Sequence, residues 1–300
     1  MPGIIPKLTR HSALLLLTFA PSCLAAVTPW VDFELRGGHL HVDAVIDGYE
    51  TSAILDTGAS INGIDEAYLR DYGQDFNRGT RNDVVRITGI AGTFEKRLVF
   101  DVPVHIFGST FDFDGLAPVS IDPAGLILGV DFFERSIVQI DYPNSRLRLI
   151  ERESLNLKKL ANVKTRRQPN GGSPTVRIRL NDEANLWIML DTGATGGLIL
   201  PRRYAKRNGW LDQFPTIEGR MVGVSGRPMV TETFNLPTLT IGPYTLEDVP
   251  VTVPGKGEKL AVDSGLLGYD ILRHFQLTMD IKKKRLHIEA VDEIAETDAP

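Results

Sequence analysis

The sequence predicts an all-β protein of two homologous lobes related by a pseudo-twofold axis, with a few short helices. Three observations predict it: an internal repeat, period-two alternation of apolar residues in both copies, and a turn-rich composition. Of the 300 residues, 28 are glycine and 18 are proline, a usage that divides a chain into short strands. A hydrophobic content of 42% is ordinary for a globular chain with a sizeable core. The length suits two domains or one bilobal unit.

The repeat decides the architecture. Asp56-Thr57-Gly58-Ala59 recurs 135 residues later as Asp191-Thr192-Gly193-Ala194. At average usage a given tetrapeptide appears about once in 10⁵ positions. Gly89-Ile90-Ala91-Gly92 has its counterpart in Gly223-Val224-Ser225-Gly226, and Pro103 and Gly108 have theirs in Pro237 and Gly242. Leu128-Gly129-Val130-Asp131 then matches Leu267-Gly268-Tyr269-Asp270, and Asp141 and Arg146-Leu147 match Asp280 and Arg285-Leu286. Landmarks in one order at near-constant offsets mean two copies of one unit.

The chain begins with Lys7 and Arg10, an apolar run from Ala13 to Ala20, and the small residues of Ser22-Cys23-Leu24-Ala25-Ala26. That is a charged region, a short hydrophobic region and a cleavage site after Ala25 or Ala26. Residues 1–26 therefore read as a signal peptide for an exported protein, periplasmic or secreted. The run is too short to span a bilayer, and no other segment reaches the roughly 20 apolar residues a span needs. Cys23, the only cysteine, is removed with the signal or, as the alternative, carries a lipid; no disulfide framework is available.

Residues 27–150 form the first lobe. Leu40, Val42, Ala44 and Ile46 alternate with His41, Asp43 and Val45, the period of a half-buried strand. Asp47-Gly48 is a hairpin turn signal, and Ala53-Ile54-Leu55 is an apolar strand running into Asp56. Short helices are expected around 66–71 and 131–135. Residues 151–174 read as a solvated, turn-rich linker, basic in Lys158, Lys159, Lys164, Arg166 and Arg167 and ending in Pro169-Asn170-Gly171-Gly172-Ser173-Pro174. The second lobe spans 175–290. Val176, Ile178 and Leu180 alternate with Arg177 and Arg179, Asp182-Glu183 takes the turn, and Trp187-Ile188-Met189-Leu190 leads into Asp191. Short helices are expected at 201–207 and 270–274. Residues 291–300 are an acidic tail.

A carboxylate at the end of a buried strand needs dense hydrogen bonding to stay ionised. A following glycine lets the backbone turn sharply and brings amides to the carboxylate. Two such loops facing each other place two carboxyls in contact, where both cannot ionise; the pair shares one proton. One member then acts as base on a water while the other, protonated, polarises a carbonyl. This chemistry requires no metal and no cofactor.

Ile54-Leu55-Asp56-Thr57-Gly58-Ala59-Ser60 and Met189-Leu190-Asp191-Thr192-Gly193-Ala194-Thr195 resemble the active-site loops of retropepsin-like aspartic proteases. Ile127-Leu128-Gly129 and Leu266-Leu267-Gly268 resemble that family's second signature, packed behind the loops. The resemblance covers roughly 35–150 and 174–290. It implies two retropepsin-like acid-protease lobes and an aspartic endopeptidase that cuts extended polypeptides with Asp56 and Asp191. Thr57 and Thr192 would lock the loops together, and Gly58 and Gly193 would offer amides to the carboxylates. The segments Gly89-Ile90-Ala91-Gly92 and Gly223-Val224-Ser225-Gly226 would be flaps closing over a peptide bound as an added strand. Retroviral enzymes build the site from two chains, whereas both loops lie here in one chain, which implies a monomer acting as an intramolecular pseudo-dimer. The two flaps differ, and neither carries the tyrosine of pepsin-like enzymes. The alternative function is a non-catalytic peptide-binding module on the same fold; two intact Asp-Thr-Gly loops favour catalysis.

Other signals carry less. Asp263-Ser264-Gly265 repeats the motif's form, but it abuts Leu266 with no room for a flap and reads as a loop. His39 and His41 share a strand face without a partner cluster and read as solvent-facing. Ser225 lacks the spacing of a nucleophile elbow, because Arg227 stands where glycine is required. A net charge of -5 gives no reason to expect nucleic acid.

Overall fold

The computed structural model describes residues 26–89, 92–121, 123–169, 172–222, 228–260 and 262–290. Residues 1–25 of the expected signal, the flap residues Ile90, Ala91, Gly223, Val224, Ser225 and Gly226, and the acidic tail lie outside the described residues. The fold is mostly β-strand with short helices. Helices at Glu66–Asp71, Val130–Phe133, Arg202–Arg207 and Tyr269–Leu272 fall where the sequence places them.

Three sheets organise the molecule. One eight-stranded sheet draws on residues 34–128 and a second on residues 165–267. Their inner wiring is the same. In the first, His39–Ile46 pairs antiparallel with Tyr49–Leu55, and Leu126–Leu128 runs parallel to Tyr49–Leu55 on its other side. In the second, Pro174–Leu180 pairs with Ala184–Leu190, which in turn takes Leu266–Leu267 as its parallel neighbour. Where the parallel strands run side by side they are apolar, because both faces are covered there: Leu55, Leu128, Leu190 and Leu267 are all essentially inaccessible.

The third sheet joins the halves. Its five strands run in the order Val31–Asp32, Arg146–Ile150, Ile137–Asp141, Phe275–Asp280, Arg285–Ala290. At its centre Ile137–Asp141 pairs antiparallel with Phe275–Asp280, Gln139 facing Thr278. Thr278 is the counterpart of Gln139 in the second copy, and the Gln139 Nε2 donates to Thr278 Oγ1 at 2.9 Å.

Three local readings change. The first hairpin turns through two residues, Asp47 and Gly48, both at positive φ. The second turns through three, with Asn181 and Asp182, not Asp182 and Glu183, in the left-handed region; asparagine and aspartate tolerate that conformation best after glycine. Residues 151–174 are not simply a solvated linker. Leu157 and Val163 are buried and anchor a short helix, Leu157–Leu160, and an edge strand, Thr165–Arg167, that extends the second sheet. Arg167 pairs with Glu134, and Arg166 lies 4.4 Å over the Trp187 ring.

The third concerns His41, which is buried at 4% exposure rather than facing solvent. It stands opposite the buried Ile54 and shares a 2.9 Å hydrogen bond with Ser52 Oγ, itself buried. Burial, then the positive charge of Arg36 and the neighbouring His39, pull its pKa down to about 4, against the opposing charge of Glu34. The folded state holds His41 neutral, whereas the unfolded chain protonates it below 6.5. Stability from this residue is thus complete above 6.5 and lost as pH falls toward 4. Urea titrations from pH 7 to pH 5 should show the parent losing on the order of 2 kcal/mol more than a His41→Gln variant. Parallel pH dependence in the two proteins would show that His41 titrates normally.

Candidate active site

Asp56 and Asp191 stand at the first positions after the strands Tyr49–Leu55 and Ala184–Leu190. Each continues the ladder by one backbone bond: Asp56 N–H donates to Leu128 O at 2.9 Å, and Asp191 N–H to Leu267 O at 3.0 Å. The chain then turns back over its own carboxylate. Gly58 and Ala59 N–H groups donate to Asp56 Oδ1 at 2.7 and 3.1 Å, and Gly193 N–H donates to Asp191 Oδ1 at 3.0 Å.

The two loops are tied to each other by four crossed bonds. Thr57 Oγ1 donates to Leu190 O at 2.6 Å and accepts from Thr192 N–H at 3.1 Å. Thr192 Oγ1 donates to Leu55 O at 2.9 Å and accepts from Thr57 N–H at 3.0 Å. Each hydroxyl serves as donor and acceptor at once, which only serine and threonine do in so small a space. Both threonines are buried, at 0% and 1% exposure, so each bond shields groups that would otherwise be unpaired in the core.

This lock brings the carboxyls together. A Cβ added to Gly58 would lie 2.5 Å from Asp191 Oδ2, and one added to Gly193 would lie 2.3 Å from Asp56 Cγ. The glycines are therefore required for close approach to the opposite aspartate. Neither has positive φ, so the sharp turn expected from the sequence is not what selects them. Asp191 is the deeper carboxyl at 8% exposure, whereas Asp56 is half-buried. Burial first, then the adjacent Asp56 charge and a carboxyl–carboxyl hydrogen bond, raise the Asp191 pKa well above the ordinary range; the amides of Gly193 and Ala194 oppose this. A proton shared by the pair is therefore held on Asp191.

The Leu-Gly segments buttress the loops from behind. Val130 N–H donates to Ala59 O at 2.8 Å and Tyr269 N–H to Ala194 O at 2.9 Å. A Cβ on Gly129 would meet Ile61 O at 2.4 Å, and one on Gly268 would meet Gly196 O at 2.5 Å. Ser60 and Thr195 end the loops at exposed positions, with Thr195 against the Gly38 turn. The hairpin of Val84–Gly89 and Gly92–Arg97 carries the first flap segment, closing with Gly89 opposite Gly92. Ile217–Val222 and the long strand Pro228–Ile241 flank the second. Asp263 is exposed and paired with Arg203 at 2.9 Å.

Three residues of the site escape the motif reading. Asn62 Oδ1 accepts the Gly129 N–H at 2.8 Å, a duty that the Gly197 carbonyl performs for Gly268 at 2.9 Å. Ser173, buried at the end of the presumed linker, donates to Gly58 O at 2.8 Å. Tyr142 packs edge-on to Phe33 and against Tyr269; its hydroxyl is buried without a partner among the described residues. Burial, then the charge of Asp191, with Tyr269 and Asp56 adding, push its pKa up. Comparison of Ser173 and Asn62 with Gly38 and Gly197, their counterparts in the repeat, is the signal that marks these positions as unequal.

Residues 176–271 match a family model described as aspartyl protease. The matched stretch holds Asp191-Thr192-Gly193 and Leu266-Leu267-Gly268, and it supports an aspartyl protease family and a hydrolase of peptidase type. No curated protein matches the chain. Among the described residues no helix is long and apolar enough to cross a membrane, and no three acidic, histidine or cysteine side chains gather as metal ligands.

Replacing Thr57 by valine should destabilise the protein by about 2–5 kcal/mol, since it strands two buried backbone groups. Serine at the same position should recover most of the loss. Urea midpoints of the two variants check this, and equal midpoints would mean the crossed bonds do not hold the loops.

Proposed function

We propose that this chain is an aspartic endopeptidase that hydrolyses peptide bonds of extended polypeptides with Asp56 and Asp191 as its catalytic pair. The observation carrying this reading is the contact of two carboxyls at the ends of two mutually locked Asp-Thr-Gly loops.

Asp56, the more accessible carboxylate, takes a proton from a water held between the two acids. The hydroxide formed attacks the peptide carbonyl carbon, while Asp191 gives its proton to the carbonyl oxygen. The product is a neutral gem-diol, with Asp56 protonated and Asp191 ionised. Collapse of the diol moves the Asp56 proton to the departing nitrogen and returns a proton from the diol to Asp191. The carbon–nitrogen bond breaks, and the original protonation state is restored. Buried amide donors around both carboxylates hold these charges without rearrangement during the reaction.

The wider reading is a single-chain pseudo-dimer. Two lobes, 27–150 and 175–290, relate by a pseudo-twofold axis running between Gln139 and Thr278; their mutual pairing and the shared inner wiring of the two large sheets support it. The flap segments at 89–92 and 223–226 close over the peptide, which lies as an added strand. The protein acts outside the cytoplasm after removal of residues 1–26.

Asp56→Asn and Asp191→Asn should each lower kcat by about 10³-fold or more without metal dependence, while retaining the parent far-UV spectrum. A library of unstructured peptides, assayed across pH, reads both activity and subsite preference. Activity that survives either substitution removes the paired-carboxyl mechanism; an inactive parent that still binds peptides would make the chain a binding module.

The raised Asp191 pKa fixes a direction. A group whose pKa is higher folded than unfolded stabilises the fold below its unfolded pKa and loses that contribution as pH rises through its folded value. Both kcat/KM and Tm should therefore decline on the alkaline side as Asp191 ionises beside Asp56. In Asp191→Asn the corresponding Tm decline should disappear, which a thermal series over pH will show.

A further inference from the structure

The fold brings together two basic stretches that lie far apart in the chain. One comprises Lys158 and Lys159 on the Leu157–Leu160 helix, with Lys164 and Arg166 along the edge strand. The other is the turn Lys282-Lys283-Lys284 between the last two strands. Thr165 Oγ1 donates to Lys284 O at 2.6 Å, Val163 bridges to Leu286, and His287 Nδ1 lies 2.9 Å from Leu160 O. All seven cationic side chains are exposed, and none has an ion-pair partner among the described residues.

The acids nearest to them are already engaged. Asp280 accepts from Arg152 Nε and from the Lys283 amide, both at 3.1 Å, and Glu134 is taken by Arg167. Glu151 and Glu153, at the head of the first stretch, leave the edge strongly positive. The chain as a whole carries -5, so this edge is opposite in sign to the molecule that bears it. Such an asymmetry orients a protein on an anionic surface.

The path of the chain favours one surface. Glu151 N–H donates to Ala26 O at 2.9 Å, and Val27 bridges to Ile150. Ala26 thus lies beside Glu151, a few residues ahead of the first basic stretch. Ile150 pairs with Ile137, and Asp280 pairs with Arg285, at the same end of the five-stranded sheet. With strands about 4.8 Å apart, that entry point and the Lys282–Lys284 turn are separated by roughly 15 Å. Immediately upstream the sequence holds Cys23 and the apolar run Ala13 to Ala20. Leu160, at 46% exposure, adds apolar surface beside Lys158 and Lys159.

We propose that this basic edge docks on the headgroups of an anionic lipid bilayer, holding the protein against the membrane it leaves during export. Clusters of four to eight Lys or Arg beside a membrane-directed segment bind acidic lipid in this way, and salt screens the attraction. The inference does not depend on the catalytic reading.

Vesicle flotation tests it with the purified chain and with a form starting at Val27. Vesicles of phosphatidylcholine with one third phosphatidylglycerol are compared with phosphatidylcholine alone. Both forms should float with the anionic vesicles at 0.1 M salt, and the bound fraction should drop about tenfold at 0.5 M. The form starting at Val27 should stay behind with the neutral vesicles. Lys282→Glu/Lys283→Glu/Lys284→Glu should lower anionic-vesicle binding by a similar factor at unchanged Tm. Lys158→Glu/Lys159→Glu on the other stretch repeats the test should the triple variant fail to fold. Absence of flotation by the Val27 form, equal flotation with neutral vesicles, or undiminished binding by folded charge-reversed variants would each overturn the proposal.

Discussion

The site depends on one exchange: each threonine hydroxyl completes the hydrogen bonding of the loop that does not contain it. Thr57 reaches Leu190, and Thr192 reaches Leu55. Neither loop can relax alone, because moving one strands buried polar groups in the other. The close packing of Gly58 on Asp191 and of Gly193 on Asp56 follows from that geometry. So does the cost of the second charge. Two carboxyls held this near, one of them at 8% exposure, cannot both be ionised without leaving charge uncompensated in the interior.

The exchange is symmetric, but its surroundings are not. The Ser173 hydroxyl donates to Gly58 O, and the amide of that same peptide group, on Ala59, donates to Asp56. Hydroxyl, peptide and carboxylate thus form one polarised chain, in which each bond reinforces the next. The corresponding place in the other copy is Gly38, which has no side chain to offer. Tyr142 adds a second imbalance, since its counterpart, the residue after Asp280 as Tyr142 follows Asp141, is Ile281. Two copies of one motif thus stand in chemically unequal surroundings.

Much of this was legible because the informative residues are local words at constant spacing. The two Asp-Thr-Gly-Ala loops, the Leu-Gly segments and the four helix positions are encoded by neighbours in sequence. What escaped depends on contacts at long range. His41 reads as an exposed position in an alternating strand, yet it is buried opposite Ile54 and bonded to buried Ser52. Lysine and arginine in 158–167 read as a solvated linker, since nothing local shows that Leu157 and Val163 bury themselves and draw the segment onto the second sheet. The role of glycine after Asp-Thr was visible as a requirement but not as a reason; backbone freedom is a local property, and collision with the opposite aspartate is not.

The five-stranded sheet has a consequence for how the chain comes into being. Its central pair joins Gln139 to Thr278, so closing it demands a contact across 139 residues of sequence. Contacts of that range form late and slowly. A partly synthesised, ribosome-bound chain has the first aspartate loop but lacks the residues that complete it. The assembled carboxyl pair therefore arises only after the last strands have been made.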